Sequence, residues 1–127
     1  MNPNDRKYSN EHEWIKVEGR TATVGITDYA QEKLTDVVFV ELPEVGRQVA
    51  PGDSVAVLES VKSVADVYAP AAGKVNDVNR ALEEHPDLVN SDAFGEGWIF
   101  KLSVSNPDLS ALMDAAAYQA FVDGLEH

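Results

Sequence analysis

The sequence predicts a mainly β fold, a small barrel or sandwich with a short internal helix and helices at its C-terminal end. Three observations lead there. Short β-branched runs punctuated by glycine and proline fill roughly the first hundred residues. The pattern V-x-x-P-x-x-G occurs twice, at Val40 to Gly46 and at Val67 to Gly73, offset by 27 residues. Strand, proline stop and glycine turn thus recur in one order, which suggests two related halves. Beyond Asn106 the apolar residues change to helical spacing.

The elements follow in order. Trp14 to Glu18 leads through Gly19 into Thr21 to Ile26, a hairpin rich in β-branched residues. Thr27 then suits the N-cap of a helix from Asp28 to about Leu34, because its hydroxyl can accept a free backbone N–H of the first turn. Val37 to Leu42 reads as a strand ended by Pro43; Ser54 to Glu59 and Ser63 to Tyr68 are two more, joined through Ser60, Val61 and Lys62. Gly73 opens a strand to Val78, and Trp98 to Val104 gives a late strand behind the Gly95-Glu96-Gly97 turn. In the tail, Asn106-Pro107 reads as an N-cap and first helical position, with Leu109, Leu112 and Met113 at helical spacing. Asp114 caps a second segment in which Ala117, Phe121 and Val122 form the apolar stripe and Gly124 the stop. Leu125-Glu126-His127 reads as the start of an expression-tag scar and carries no function.

Val38, Val40, Val55, Val57, Val67, Val75, Ile99 and Leu102 are the expected core, with Trp14 and Trp98 anchoring its ends. Leu112, Phe121 and Val122 are expected to seat the C-terminal helices on the sheet. With 127 residues and 13.8 kDa the chain suits a single domain, residues 1–127.

Composition excludes several functions. Ten Lys plus Arg against 22 Asp plus Glu give a net charge of -12, the wrong sign for nucleic acid or an anionic membrane surface. An acidic surface suits basic proteins or cationic ligands. Cysteine is absent, so no disulfide, thiolate nucleophile or thiolate-bound zinc is available, and any sulfur chemistry must arrive on a cofactor. No apolar run reaches the ~18 residues of a membrane helix, and the N-terminus has neither a signal core nor transit character, which points to the cytoplasm. Catalytic templates are missing: no G-x-S-x-G, P-loop, H-E-x-x-H or G-x-G-x-x-G. His12 and Glu13 are neighbours, but successive strand residues point to opposite faces. His85, beside Pro86 in a polar stretch, reads as solvated. No nucleophile–base pair stands out for an enzyme reading.

The segment that stands out is Val57 to Pro70, two β-branched strands around a tight turn carrying Lys62. Most lysines are surface residues with no assigned task. Here, however, the strands are too short to bury the amine, Glu59 and Asp66 flank it, and the turn leads into the second copy of the repeat. Such an amine is open to a modifying enzyme and can swing whatever is attached to it.

E-S-V-K at Glu59 to Lys62, followed by Asp66-Val67-Tyr68-Ala69-Pro70-x-x-Gly73-x-Val75, resembles the lipoyl-attachment hairpin of the glycine cleavage system H proteins. Tyr8-Ser9-x-Glu11-His12-Glu13-Trp14, Val24-Gly25-Ile26-Thr27, Val37-Val38-Phe39-Val40 and Leu42-Pro43-x-x-Gly46 resemble the same family. So do Pro86-x-Leu88-Val89-Asn90-Ser91, Gly97-Trp98-Ile99-x-Lys101 and Leu112-Met113 with Tyr118; the match is collinear from about residue 7 to 122. The resemblance implies a barrel-sandwich hybrid of the lipoyl/biotinyl-carrier type and a non-catalytic carrier. It implies lipoate joined by an amide to Lys62, carrying an aminomethyl group from a pyridoxal-phosphate glycine decarboxylase to a folate-dependent aminomethyltransferase. Reoxidation falls to a dihydrolipoamide dehydrogenase. The expected partners are these enzymes and those that attach lipoate, with the carrier itself a monomer.

One departure is visible: the family commonly has serine before the aspartate of this hairpin, where this chain has Ala65, with Ser63 directly after Lys62. The attachment lysine itself is unaffected. Three other readings stay open. A carrier of the same fold could relay lipoate to 2-oxoacid dehydrogenases through the same hairpin. A biotin carrier fits less well, because such proteins resemble Met-Lys-Met where this chain has Val61 and Ser63 around Lys62. An unmodified acidic interaction module needs no special lysine. Within the carrier reading, Glu59 and Asp66 are expected to serve recognition of Lys62 rather than stability, since an exposed carboxylate contributes about 0–1 kcal/mol. Glu13, next to Trp14, is expected to hold the amine of a loaded arm folded back onto the protein.

Overall fold

The computed structural model describes residues 2–125. Glu126 and His127, and with them most of the supposed tag scar, lie outside the described residues. The elements run β1 (Lys7–Tyr8), β2 (Glu13–Glu18), β3 (Thr21–Ile26), α1 (Asp28–Leu34), β4 (Val37–Glu41), β5 (Gln48–Val49), β6 (Ser54–Ser60), β7 (Val64–Tyr68), β8 (Gly73–Val78), α2 (Ala81–Glu84), α3 (Leu88–Ser91), β9 (Phe100–Ser103) and α4 (Ala115–Leu125). β1-β2-β3-β9-β8-β5 form one antiparallel sheet and β4-β6-β7 a second, smaller one. The mainly β class and the internal helix agree with the sequence reading.

The repeat explains how the sheets connect. Each copy leaves the small sheet, at β4 or β7, passes its proline and glycine, and enters the large sheet at β5 or β8. These two arrivals then pair with each other, Gln48 opposite Lys74 and Val49 opposite Gly73. The two glycines are needed for different reasons. Gly46 has φ +102, a backbone state that a side chain disfavours. Gly73 lies where a Cβ would come 2.7 Å from the Ser103 carbonyl oxygen.

Between the sheets lies a core in which Ile15, Val24, Leu58, Val75, Ile99, Phe100 and Leu102 are almost wholly enclosed. Two expected core residues are not there. Val38 is 55% exposed and Val57 is only half-buried. The register slips between Val37 and Phe39 on β4 and between Ser54 and Ala56 on β6. A bulge adds a residue and breaks the two-residue alternation, so Val37 and Val40 face inward while Val38 and Phe39 are exposed. On β6, Val55 and Ala56 are both buried, after which Leu58 takes the inward place that simple alternation gives Val57.

A second, aromatic cluster gathers Tyr8, Trp14, Tyr118 and Val122, with Phe94, Trp98 and Phe121 packed against it. Trp14 faces Gly25 across the hairpin, where a Cβ would come 2.7 Å from the indole; its Nε1–H donates to the Ala93 carbonyl at 3.0 Å. Trp98 packs against the same cluster from its edge and stays half-buried. The tail departs from expectation: the stretch after Pro107 is not helical. Met113 instead pairs with Tyr8 through reciprocal backbone hydrogen bonds of 2.8 Å, and Asn106 takes φ 52. Strand pairing satisfies both backbone groups of Met113, which a lone helical turn at that point would not. Asp114 does cap α4, accepting the Ala117 N–H at 2.8 Å, but the helix continues through Gly124 to Leu125.

Candidate functional site

β6 and β7 are joined by a tight turn, and its geometry is set by one hydroxyl. Ser60 Oγ accepts the backbone N–H groups of Lys62 at 3.2 Å and Ser63 at 2.9 Å and donates to the Ser63 carbonyl at 3.0 Å. The Ser60 and Val61 amides donate to the Ser63 and Asp36 carbonyls at 2.8 and 3.1 Å, the second bond tying the tip to the loop before β4. A short polar side chain bonding to nearby amides is how serine stabilises turns. The result is a fixed backbone with an exposed Lys62 side chain. Ser60 was missed by the sequence reading, although its place beside the turn is the signal that identifies it.

Glu59 and Asp66 both lie on the hairpin but do not meet at Lys62. Glu59 stands opposite Val64 on the rung nearest the turn; Asp66 stands opposite Val57, further down. Asp66 accepts the Ser54 hydroxyl at 2.8 Å.

Glu13 lies deeper. It opens β2 and is 2% exposed, its carboxylate accepting the Ser9 hydroxyl at 2.6 Å and the Tyr68 N–H at 3.2 Å. Burial pushes its carboxyl up to about 7, against the pull of those two hydrogen bonds; the nearby Glu11 charge adds to the rise. The residue borders two cavities. One, of about 340 Å³, is lined by Ile26, Tyr29, Leu34, Leu58, Ala65 and Asp66 as well as Glu11, His12 and Glu13. The other, of about 600 Å³, lies between Tyr68, Pro70, Leu112, Met113 and Phe121. So Glu13 is separated from the lysine turn along the strand, but Leu58 and Ala65, facing each other across the lysine hairpin, line the first cavity.

His12 holds this arrangement at an unusual backbone angle, φ 70. Its Nδ1 lies 2.8 Å from the Tyr118 hydroxyl, which in turn lies 2.7 Å from Thr27 Oγ1. Thr27 is the N-cap of α1 and accepts the Ala30 N–H at 3.3 Å. One phenol on α4 thus joins the start of β2 to the start of α1. Burial lowers the His12 pKa, against the smaller upward pull of the Glu11 charge, and so favours the neutral ring. Tyr118 belongs to the family-like tail, and its spacing with Ala115 and Val122 marks it as inward-facing. Among the described residues no group of His, Asp and Glu suits a metal ion, and no helix is long and apolar enough to cross a membrane.

A lipoyl group has a hydrocarbon chain and a dithiolane ring, and needs an accessible amine and an apolar resting place. The exposed Lys62 and the Ile26-Leu34-Leu58 cavity fit both requirements. The buried Glu13 places one carboxyl at the edge of the same cavity.

Known proteins resemble the chain throughout. A family model described as glycine cleavage H-protein matches residues 6–124. The glycine cleavage system H protein of Symbiobacterium thermophilum is 60% identical over 120 residues, 94% of each chain. That of Thermus thermophilus is 57% identical over 122 residues, 95% of each. Among solved structures, a glycine cleavage system H protein from Mycobacterium marinum matches with a TM-score of 0.87 at 38% identity, covering 97% of this chain and 99% of that one.

Proposed function

The chain belongs to the glycine cleavage H-protein family, and from that membership we propose that it is a lipoylated, non-catalytic carrier domain working in the cytoplasm. It shuttles the aminomethyl group of glycine from the decarboxylase to the aminomethyltransferase, and dihydrolipoamide dehydrogenase returns the arm to its oxidised state. The observation that carries this reading is the presentation of Lys62, an exposed amine on a turn whose backbone is pinned by Ser60 and Asp36. A rigid base with a free side chain lets an attached group sweep a defined volume.

When bound, lipoate supplies a disulfide whose sulfur accepts the aminomethyl group and is left reduced when the group is passed on. The chain's own residues do the rest. Lys62 Nζ becomes an amide nitrogen and loses its charge, so it acts neither as a base nor as a Schiff-base nucleophile. Ile26, Leu34 and Leu58 give the hydrocarbon a surface away from water. Glu13, placed by Ser9 and the Tyr68 amide, pairs with the cargo's ammonium, a charge-assisted contact that offsets the cost of taking that cation out of water.

Lys62→Arg tests the reading. The variant keeps the positive charge and the Ser60-pinned turn but lacks the acceptor amine. It is expected to fold normally and to gain no lipoyl mass when incubated with a lipoate–protein ligase, lipoate and ATP. Peptide mass spectrometry of the wild type should place the added mass on Lys62; the same mass on Lys33, Lys74 or Lys101 would refute the assignment.

A further inference from the structure

The outward face of the small sheet carries an ordered pattern. Cross-strand partners share a face. Phe39, Glu59 and Val64 form one outward rung; Glu41, Val57 and Asp66 form the next. Read across both rungs, apolar and acidic side chains alternate in a two-by-three checkerboard directly below the Lys62 turn. Phe39 is 51% exposed and Val64 is 65% exposed, with Val61 in the turn itself at 71%. Scattered exposed apolar residues need no explanation, but clustered ones beside a modification site do. Phe39 and Glu41 also border a groove of about 540 Å³ that continues the face past Leu42 and Val45.

The three carboxylates are not ion-paired among the described residues. Diagonal neighbours on a sheet lie about 7–8 Å apart, so these charges repel one another until a cation comes between them. The same charges disfavour a second copy of this acidic chain as the occupant. They favour a partner that presents lysine or arginine around an apolar contact.

We propose that this checkerboard is the docking surface of the enzyme that acylates Lys62, a protein with such a basic, partly apolar surface around its active site. The proposal rests on the reading of Lys62 as the attachment residue. An acylating enzyme must bring its reacting atoms to Nζ itself, so it has to cover the turn and the strand beneath it. Both rungs lie within about 17 Å of Lys62 along the strands, at ~3.4 Å per residue. Enzymes that act at the far end of a long flexible arm have no such requirement.

The test follows lipoyl transfer to the unmodified full chain by a lipoate–protein ligase, read by intact mass. Phe39→Ser, and separately the double variant Glu41→Gln with Glu59→Gln, should each lower kcat/KM at least tenfold, mainly through KM. Added salt should raise the wild-type KM and affect the double variant less. Val64→Ser gives an independent reading from the opposite strand should Phe39→Ser fold poorly. Lys62→Arg, which cannot be modified, should inhibit wild-type modification, and adding Phe39→Ser and Glu41→Gln to it should abolish that inhibition. Wild-type kinetics in all these variants, with lipoyl mass on Lys62, would overturn the docking surface and leave Lys62 standing. Absence of lipoyl mass from wild-type Lys62 would overturn both.

Discussion

Glu13→Gln should shorten the life of the aminomethyl cargo and, in the unmodified chain, raise stability at alkaline pH. The carboxyl's folded-state pKa of about 7 lies above its ordinary 4.5 because burial penalises the ionised form. Between those two values the folded chain holds a proton that the unfolded chain releases. Stability from this group is therefore present below about pH 4.5 and is lost as pH rises through 7. At pH 8 the wild type buries an ionised carboxylate held by the Ser9 hydroxyl and the Tyr68 N–H.

Glutamine removes that cost at nearly constant shape, and its oxygen can still accept the Tyr68 N–H. Its amide must share Ser9 Oγ, which already accepts the Glu11 and Glu13 backbone N–H groups at 3.3 and 3.1 Å. The net gain expected at pH 8 is about 1–2 kcal/mol, shrinking towards pH 5, and urea unfolding at the two pH values measures it. The loaded protein should show the opposite cost. Losing a charge-assisted hydrogen bond of about 1.5–3 kcal/mol should speed release of the cargo as formaldehyde and ammonia at least tenfold. Equal cargo lifetimes in wild type and variant would remove Glu13 from the mechanism.

Tyr118→Phe is the second large effect. Tyr118 is fully buried and stacked on Tyr8 at 4.8 Å between ring centroids. Removing its hydroxyl leaves the rings packed but deprives His12 Nδ1 of its partner, while Thr27 Oγ1 keeps only the Ala30 N–H. Orphaning a buried polar group costs about 1–3 kcal/mol, and thermal unfolding should show a loss of that size. Tyr118→Ala, which opens a cavity as well, should cost about 3–5 kcal/mol. His12 at φ 70 also depends on this contact and directly precedes Glu13, so cargo release should quicken in Tyr118→Phe too. A destabilised Tyr118→Phe that sheltered its cargo as well as the wild type would confine Tyr118 to stability.

Much of the fold was legible because local chemistry and global packing agree. Thr27 caps α1 as its position predicts, and the two V-x-x-P-x-x-G segments mark the two crossings between sheets. What failed did so for identifiable reasons. Bulges at Val38 and between Ser54 and Ala56 break the alternation on which the core assignment of Val38 and Val57 rested, and nothing in the residue types announces them. The helical spacing of Leu109, Leu112 and Met113 was overridden by a long-range pairing of Met113 with Tyr8. At the site, Lys62 could be singled out because a turn between two short strands must expose it. The path from Glu13 to Ser9, Tyr68 and two cavities depends on contacts between residues 55 apart in sequence, which no local pattern contains.

The central claim is that this chain carries a glycine-derived group on Lys62, and decarboxylase-dependent exchange tests it most directly. Purified glycine decarboxylase, glycine and isotope-labelled bicarbonate are combined with the lipoylated chain, the unmodified chain, or Lys62→Arg after ligase treatment. Label should enter the carboxyl of glycine only with the lipoylated chain. Exchange supported equally by Lys62→Arg, or none from a chain fully lipoylated at Lys62, would contradict the account.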